Sequence, residues 1–109
     1  MRIVLAIIAL GLCGGCVTSL YSWGSFEDSI GRMYGDASFS PNKEISILEA
    51  EMDSAASRGR AIPPGEHAHV GYLYYMIGDQ ANAARHLQAE KELFPESATF
   101  IDGLLGRMK

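Results

Sequence analysis

The sequence predicts an all-α domain built of antiparallel helical hairpins and closed by a C-terminal helix. Three observations predict it. Apolar residues recur three and four positions apart in successive stretches, the period of a helix with one buried face. Glycines, prolines and short polar residues fall between those stretches, where helices stop and start. From Pro63 to Ser97, small and aromatic residues stand at offsets suited to two helices crossing closely. With 109 residues, 48% hydrophobic and 20% charged, the chain has room for one small globular domain.

Residues 1–15 lie outside that domain. Met1 and Arg2 form a short basic start, Ile3 to Leu12 is an apolar run, and Gly14-Gly15 precede Cys16. Ten apolar residues at 1.5 Å each cover only about half of a bilayer core of roughly 30 Å, so the run reads as a signal peptide and not as a span. Two small residues directly before a cysteine resemble the lipobox of bacterial lipoproteins, although Cys13 stands where leucine is usual. That resemblance implies cleavage before Cys16, a lipid on its thiol, and no internal disulfide in the mature chain. Val17 follows, not the aspartate that retains many such lipoproteins in the inner membrane, which implies the periplasmic face of the outer membrane. The residues also allow an ordinary signal peptide with two cysteines near its end, or a Cys13–Cys16 bridge.

Residues 16–24 then read as a lipidated N-terminus and tether, short enough to keep the domain near the lipid, and residues 25–109 as the helical domain. Trp23, Phe26, Ile30 and Tyr34 recur at helical spacing, with Ser25 as N-cap and Gly35 as stop. This stripe packs into the core, while Tyr21 and Trp23 also suit a bilayer interface. After a turn-rich connection containing Pro41, Lys43 to Ser57 forms a second helix with Ile45, Leu48, Met52 and Ala55 or Ala56 along one side. Glu44, Glu49, Glu51 and Asp53 read as its solvated face.

In the central hairpin, Pro63 or Pro64 opens the first helix, Gly71 lets the second approach, and Gly78 ends the first. Asp79 caps the second helix, Ala83 is the complementary small residue, and Pro95 cannot continue the helix. Gly71, Tyr74, Gly78, Ala83, Leu87 and Pro95 resemble the signature of a tetratricopeptide repeat; His67 and Glu90 depart from it, standing where tryptophan and alanine are usual. A single hairpin cannot bury its apolar face alone, so the preceding helices serve as neighbours. Ser97 caps a last helix whose stripe of Phe100, Ile101, Leu104, Leu105 and Met108 covers the hairpin.

In arrays of this repeat, the first helix of each pair lines a groove, which here implies Ala68, Tyr72, Tyr75 and Met76 as partner-binding residues. The competing reading packs the same side on the Lys43–Ser57 helix. No metal site, cofactor or enzymatic activity is expected. His67 and His69, two apart on a helix, point about 200° from one another, His67 suits a local pairing with Glu90, and His86 reads as exposed. The formal net charge is −4, and about −5 once Arg2 is removed, which gives no electrostatic reason to bind nucleic acid or anionic lipid.

Read together, Tyr21-x-Trp23-Gly24, Pro63-Pro64-Gly65-x-His67-Ala68-His69 and Glu90-Lys91-x-Leu93-Phe94-Pro95-Glu96-Ser97 resemble a family of small uncharacterised bacterial lipoproteins with one such repeat. Its members are often encoded beside a lipoprotein similar to the curli-secretion channel subunit. The resemblance implies an outer-membrane lipoprotein that serves as an interaction or assembly factor for an envelope complex, its partner another envelope lipoprotein or a secretion-channel-like protein. Two alternatives are a structural or stress-related lipoprotein with no specific partner, and a periplasmic carrier of small ligands or metal.

Overall fold

The computed structural model describes residues 20–108. The stretch read as a signal peptide, Cys16 and the start of the expected tether lie outside the described residues. Five α-helices follow in order: α1 (Phe26–Gly35), α2 (Pro41–Ser57), α3 (Glu66–Met76), α4 (Gln80–Leu93) and α5 (Ala98–Arg107), with a 3-10 turn (Pro95–Ser97) before α5. The fold class is all-α. Among the described residues, extended pairing is confined to one isolated parallel bridge between Tyr21 and Ala61.

Two helix ends follow directly from glycine. Gly59 and Gly78 have φ of +65° and +81°, the left-handed conformation that ends α2 and α3. The backbone N–H groups of Gly59 and Arg60 bond the carbonyls of Ala56 and Ala55, and those of Gly78 and Asp79 bond Tyr75 and Tyr74, the paired closure of a Schellman motif. The Asp79 side chain then accepts from Asn82 N, capping α4 as expected.

Other boundaries differ from expectation. Pro41 is the first residue of α2 and not part of the connection, because its missing N–H costs nothing there and Ser40 caps the helix from Lys43 N. Neither Pro63 nor Pro64 opens α3. They make a turn closed by Glu66 N on Pro63 O at 3.2 Å, and Gly65 takes the cap position at φ +94°. Ser25 and Ser97 precede their helices without capping them: the Ser25 side chain donates to Glu51, and the Ser97 hydroxyl donates back to Phe94 O.

The core joins α1, α2 and α3 through Phe26, Ile45, Leu48, Met52, Val70 and Leu73, with Ile30, Met33, Phe39, Ile62 and Tyr74 around it. Tyr34 leaves the expected stripe and is 82% exposed. Trp23 precedes α1 and stacks on Phe26, ring centroids 6.3 Å apart. The α3–α4 hairpin closes at Gly71, where an added Cβ would lie 3.1 Å from both Ala83 O and Leu87 Cγ. Ala83 and Leu87 are buried there, and Ile101 of α5 is buried as well, whereas Phe100 is largely exposed.

Of the acidic residues expected on the solvated face of α2, Asp53 is exposed, whereas Glu44, Glu49 and Glu51 are drawn into contacts with neighbouring segments. Arg32 Nε and Nη2 hold both oxygens of buried Glu44 at 2.8 and 2.7 Å, and the guanidinium keeps that carboxyl below the usual range. Glu51 holds the hydroxyl and the backbone N–H of Ser25. Glu49 takes the Tyr74 hydroxyl and His86. Three carboxylates thus pin neighbouring segments to α2 at fixed registers.

Candidate functional site

Helix α3 divides its side chains between two environments. Val70 and Leu73 face the core with α2, while Tyr72 and Tyr75, three apart, share the opposite side and stack with ring centroids 6.5 Å apart. Both tyrosines stay nearly half exposed, at 48% and 46%. They line a crevice of about 210 Å³ with Gly71, Leu87, Leu104, Arg107 and Met108. The side expected to form a groove therefore does not pack on α2; α5 forms its far wall. Of the four residues expected there, Tyr72 and Tyr75 line the crevice. Ala68 is half-buried and Met76 is 45% exposed, and neither is among the lining residues. Leu104, Arg107 and Met108 were not anticipated as site residues. The helical spacing of Leu104 and Met108 signalled a cap over the hairpin, and the fold leaves that cap slightly open.

A second cluster lies on the α2 side of the hairpin. Tyr74 Oη donates to Glu49 Oε1 at 2.7 Å, His86 Nε2 is 2.9 Å from the same oxygen, and His67 Nδ1 meets His86 Nδ1 at 3.0 Å. His86 is buried, not exposed as its sequence context suggests, because the α4 face that carries it turns toward Glu49. His67 pairs with His86 and not with the Glu90 side chain. Burial, then the charges of His86 and Arg85, lowers His67 to about 4. Burial also lowers His86, against the Glu49 hydrogen bond. Tyr74 is pushed up to about 12 by burial and by the Glu49 carboxylate. At neutral pH these two rings are uncharged and serve as hydrogen-bonding struts among three helices. No group of three or more His, Cys, Asp or Glu side chains able to hold a metal ion occurs among the described residues.

A third arrangement brings Ser29 Oγ within 2.9 Å of His69 Nε2, beside Glu44. Ser29 is fully buried and His69 nearly so. The hydroxyl is closed to any substrate in this conformation, and the pair ties α1 to α3.

Glu90 joins α4 to the start of α3. Its Oε1 accepts from Gly65 N at 2.6 Å, at the first turn of α3. Burial raises its carboxyl, opposed by the backbone N–H groups of Gly65, Ala68 and His67. Beside it, Glu66 is almost fully buried, and one oxygen of each carboxyl has no hydrogen-bond partner among the described residues. Burial and the charges of Glu51 and Glu90 raise Glu66 to about 7.

Of these clusters, only the Tyr72–Tyr75 crevice offers large apolar side chains outward. The histidine cluster is taken up by contacts within the chain, and the Glu66–Glu90 carboxyls are buried. Residues 20–104 match a family described as a domain of unknown function, DUF4810. No curated protein and no solved structure matches the sequence.

Proposed function

The chain belongs to the DUF4810 family, and on that premise we propose that it is a lipid-anchored interaction module of the bacterial envelope, which captures an envelope lipoprotein through the α3–α5 crevice. One observation carries the reading: Tyr72 and Tyr75 stand stacked and half exposed on a helix whose opposite side, Val70 and Leu73, is buried. Aromatic side chains held rigidly in this way supply large contact area at small entropic cost, the pattern of an interface anchor. Arg107 at the rim adds a donor for a polar group of the partner. The repeat-like hairpin and the small-small-Cys16 leader support the same reading. In it, Cys16 carries the lipid and the outer membrane holds the protein on its periplasmic face.

The test is site-specific photocrosslinking from position 75 in native membranes, with Tyr72→Ser in one form and Tyr34→Ser as an exposed control on α1. The reading expects one envelope lipoprotein to be crosslinked, lost with Tyr72→Ser and retained with Tyr34→Ser. If no discrete adduct forms, or if both substitutions act alike, the crevice is not a partner site and the structural-lipoprotein alternative takes its place.

A further inference from the structure

The N-terminal segment does not leave the body as a free tether. Tyr21 pairs with Ala61, and Ser22 N donates to Ala61 O at 2.8 Å, which fixes residues 21 and 22 beside the α2–α3 connection. Tyr21 also lies against Phe94 and Trp23, at ring separations of 6.4 and 6.1 Å, and the inner face of Trp23 rests on Phe26. Outward, Leu20 is 72% and Trp23 39% exposed. The connection that receives this strap carries Arg58 and Arg60, both exposed. Arg58 reaches Ser54 O and Ser22 Oγ, and neither arginine has a carboxylate partner among the described residues, unlike Arg32 and Arg85. One edge of an acidic chain therefore combines outward apolar side chains with two unneutralised cations.

We propose that this edge rests on a lipid surface, with Leu20 and Trp23 at interfacial depth and Arg58 and Arg60 on lipid phosphates. This inference rests on the reading that Cys16 carries an anchor. From Cys16 to Leu20 the chain reaches only about 14 Å, so the anchor brings this edge to the bilayer before any other. A tryptophan with its inner face packed and its outer side free, beside arginines, matches the chemistry of the headgroup region. The overall negative charge does not oppose it. Screening limits each charge to a range of about 8 Å at physiological ionic strength, so the local pair of cations decides the contact. The proposed contact thus departs from the expectation, drawn from net charge, of no attraction to anionic lipid.

Trp23 is the only tryptophan of the chain, so its fluorescence reports the contact directly. The full-length lipidated protein is placed in phosphatidylcholine vesicles, with and without phosphatidylglycerol, whose acyl chains are brominated. Trp23 emission is expected to be quenched, more so with the anionic lipid, and Leu20→Ser to weaken the quenching. R58Q and R60Q are each expected to shift the docked-to-undocked ratio about fivefold in anionic vesicles. Flotation with the vesicles but an unquenched Trp23 overturns the contact and leaves the anchor standing. Failure to float overturns anchor and contact together. Quenching indifferent to R58Q and R60Q overturns the phosphate assignment, and a crosslinked pair of chains joined through this edge replaces lipid with a second copy.

Discussion

Glu90 Oε1 accepts a hydrogen bond from Gly65 N at 2.6 Å, so a carboxylate on α4 supplies the N-terminal cap that Gly65, lacking a side chain, cannot give α3. Glycine takes that position because its φ is +94°. Glu90→Ala leaves a partly buried N–H without its acceptor and is expected to cost about 1–3 kcal/mol in urea denaturation. Glu90→Gln keeps an acceptor and should cost clearly less. Equal losses for the two would show that the charge, not the hydrogen bond, holds the turn.

Gly71→Ala weighs two effects of opposite sign. Alanine favours the helix by about 1 kcal/mol. Its Cβ, however, would press on Ala83 O and Leu87 Cγ at 3.1 Å, and a backbone oxygen cannot rotate away. Overpacking of this kind costs about 1–3 kcal/mol, so a net loss is expected, and a larger one for Gly71→Val. Thermal unfolding decides it; a rise in Tm for Gly71→Ala would mean the hairpin parts easily.

Substitutions on the two sides of α3 should separate core from surface. Tyr72→Ser and Tyr75→Ser, at half-exposed positions, are expected to change stability by less than about 1 kcal/mol. Leu73→Ala, between them and fully buried, should cost about 2–5 kcal/mol. A large loss for either serine variant would place that tyrosine in the core and remove it as an anchor.

Two strongly shifted groups, Glu66 and His67, contribute in opposite senses to the pH dependence of stability. Glu66 has a folded pKa of about 7 against an ordinary 4.5, because burial and then Glu51 and Glu90 disfavour its charge. The folded state keeps a proton that the unfolded chain releases, so stability present below pH 4.5 is lost as pH rises to about 7. His67 acts in the opposite sense. Burial, then His86 and Arg85, lowers it from 6.5 to about 4, so its contribution is present above pH 6.5 and lost as pH falls toward 4. The two slopes oppose one another, and His69 and His86, also lowered by burial, add to the rising one. Glu66→Gln removes the larger part of the falling limb, the rest coming from Glu90, whose carboxyl burial also raises; the variant should exceed the parent by ~3 kcal/mol at pH 8. Parallel profiles for the two proteins in denaturant titrations would refute this assignment.

The sequence by itself determined the fold class, the order of the helices and several of their ends. Gly78 and Asp79 act as stop and cap, Gly71 and Ala83 make the close crossing, and Leu48, Met52 and Ile101 lie in the interior, because each of these depends on local backbone freedom or on helical period. Only the tertiary structure decided where the polar side chains go. Glu44, Glu49, Glu51 and Glu90 read as solvated or misplaced, yet each holds a partner between 12 and 37 residues away in sequence, a distance that no periodicity encodes. His86 became a buried strut for the same reason. Likewise, the pattern singled out the outward side of α3, but the approach of α5 chose Tyr72 and Tyr75 from it and left Ala68 and Met76 aside. Helical period fixes which face of a helix is apolar; which neighbour meets that face, and at what height, is set by the packing of the whole chain.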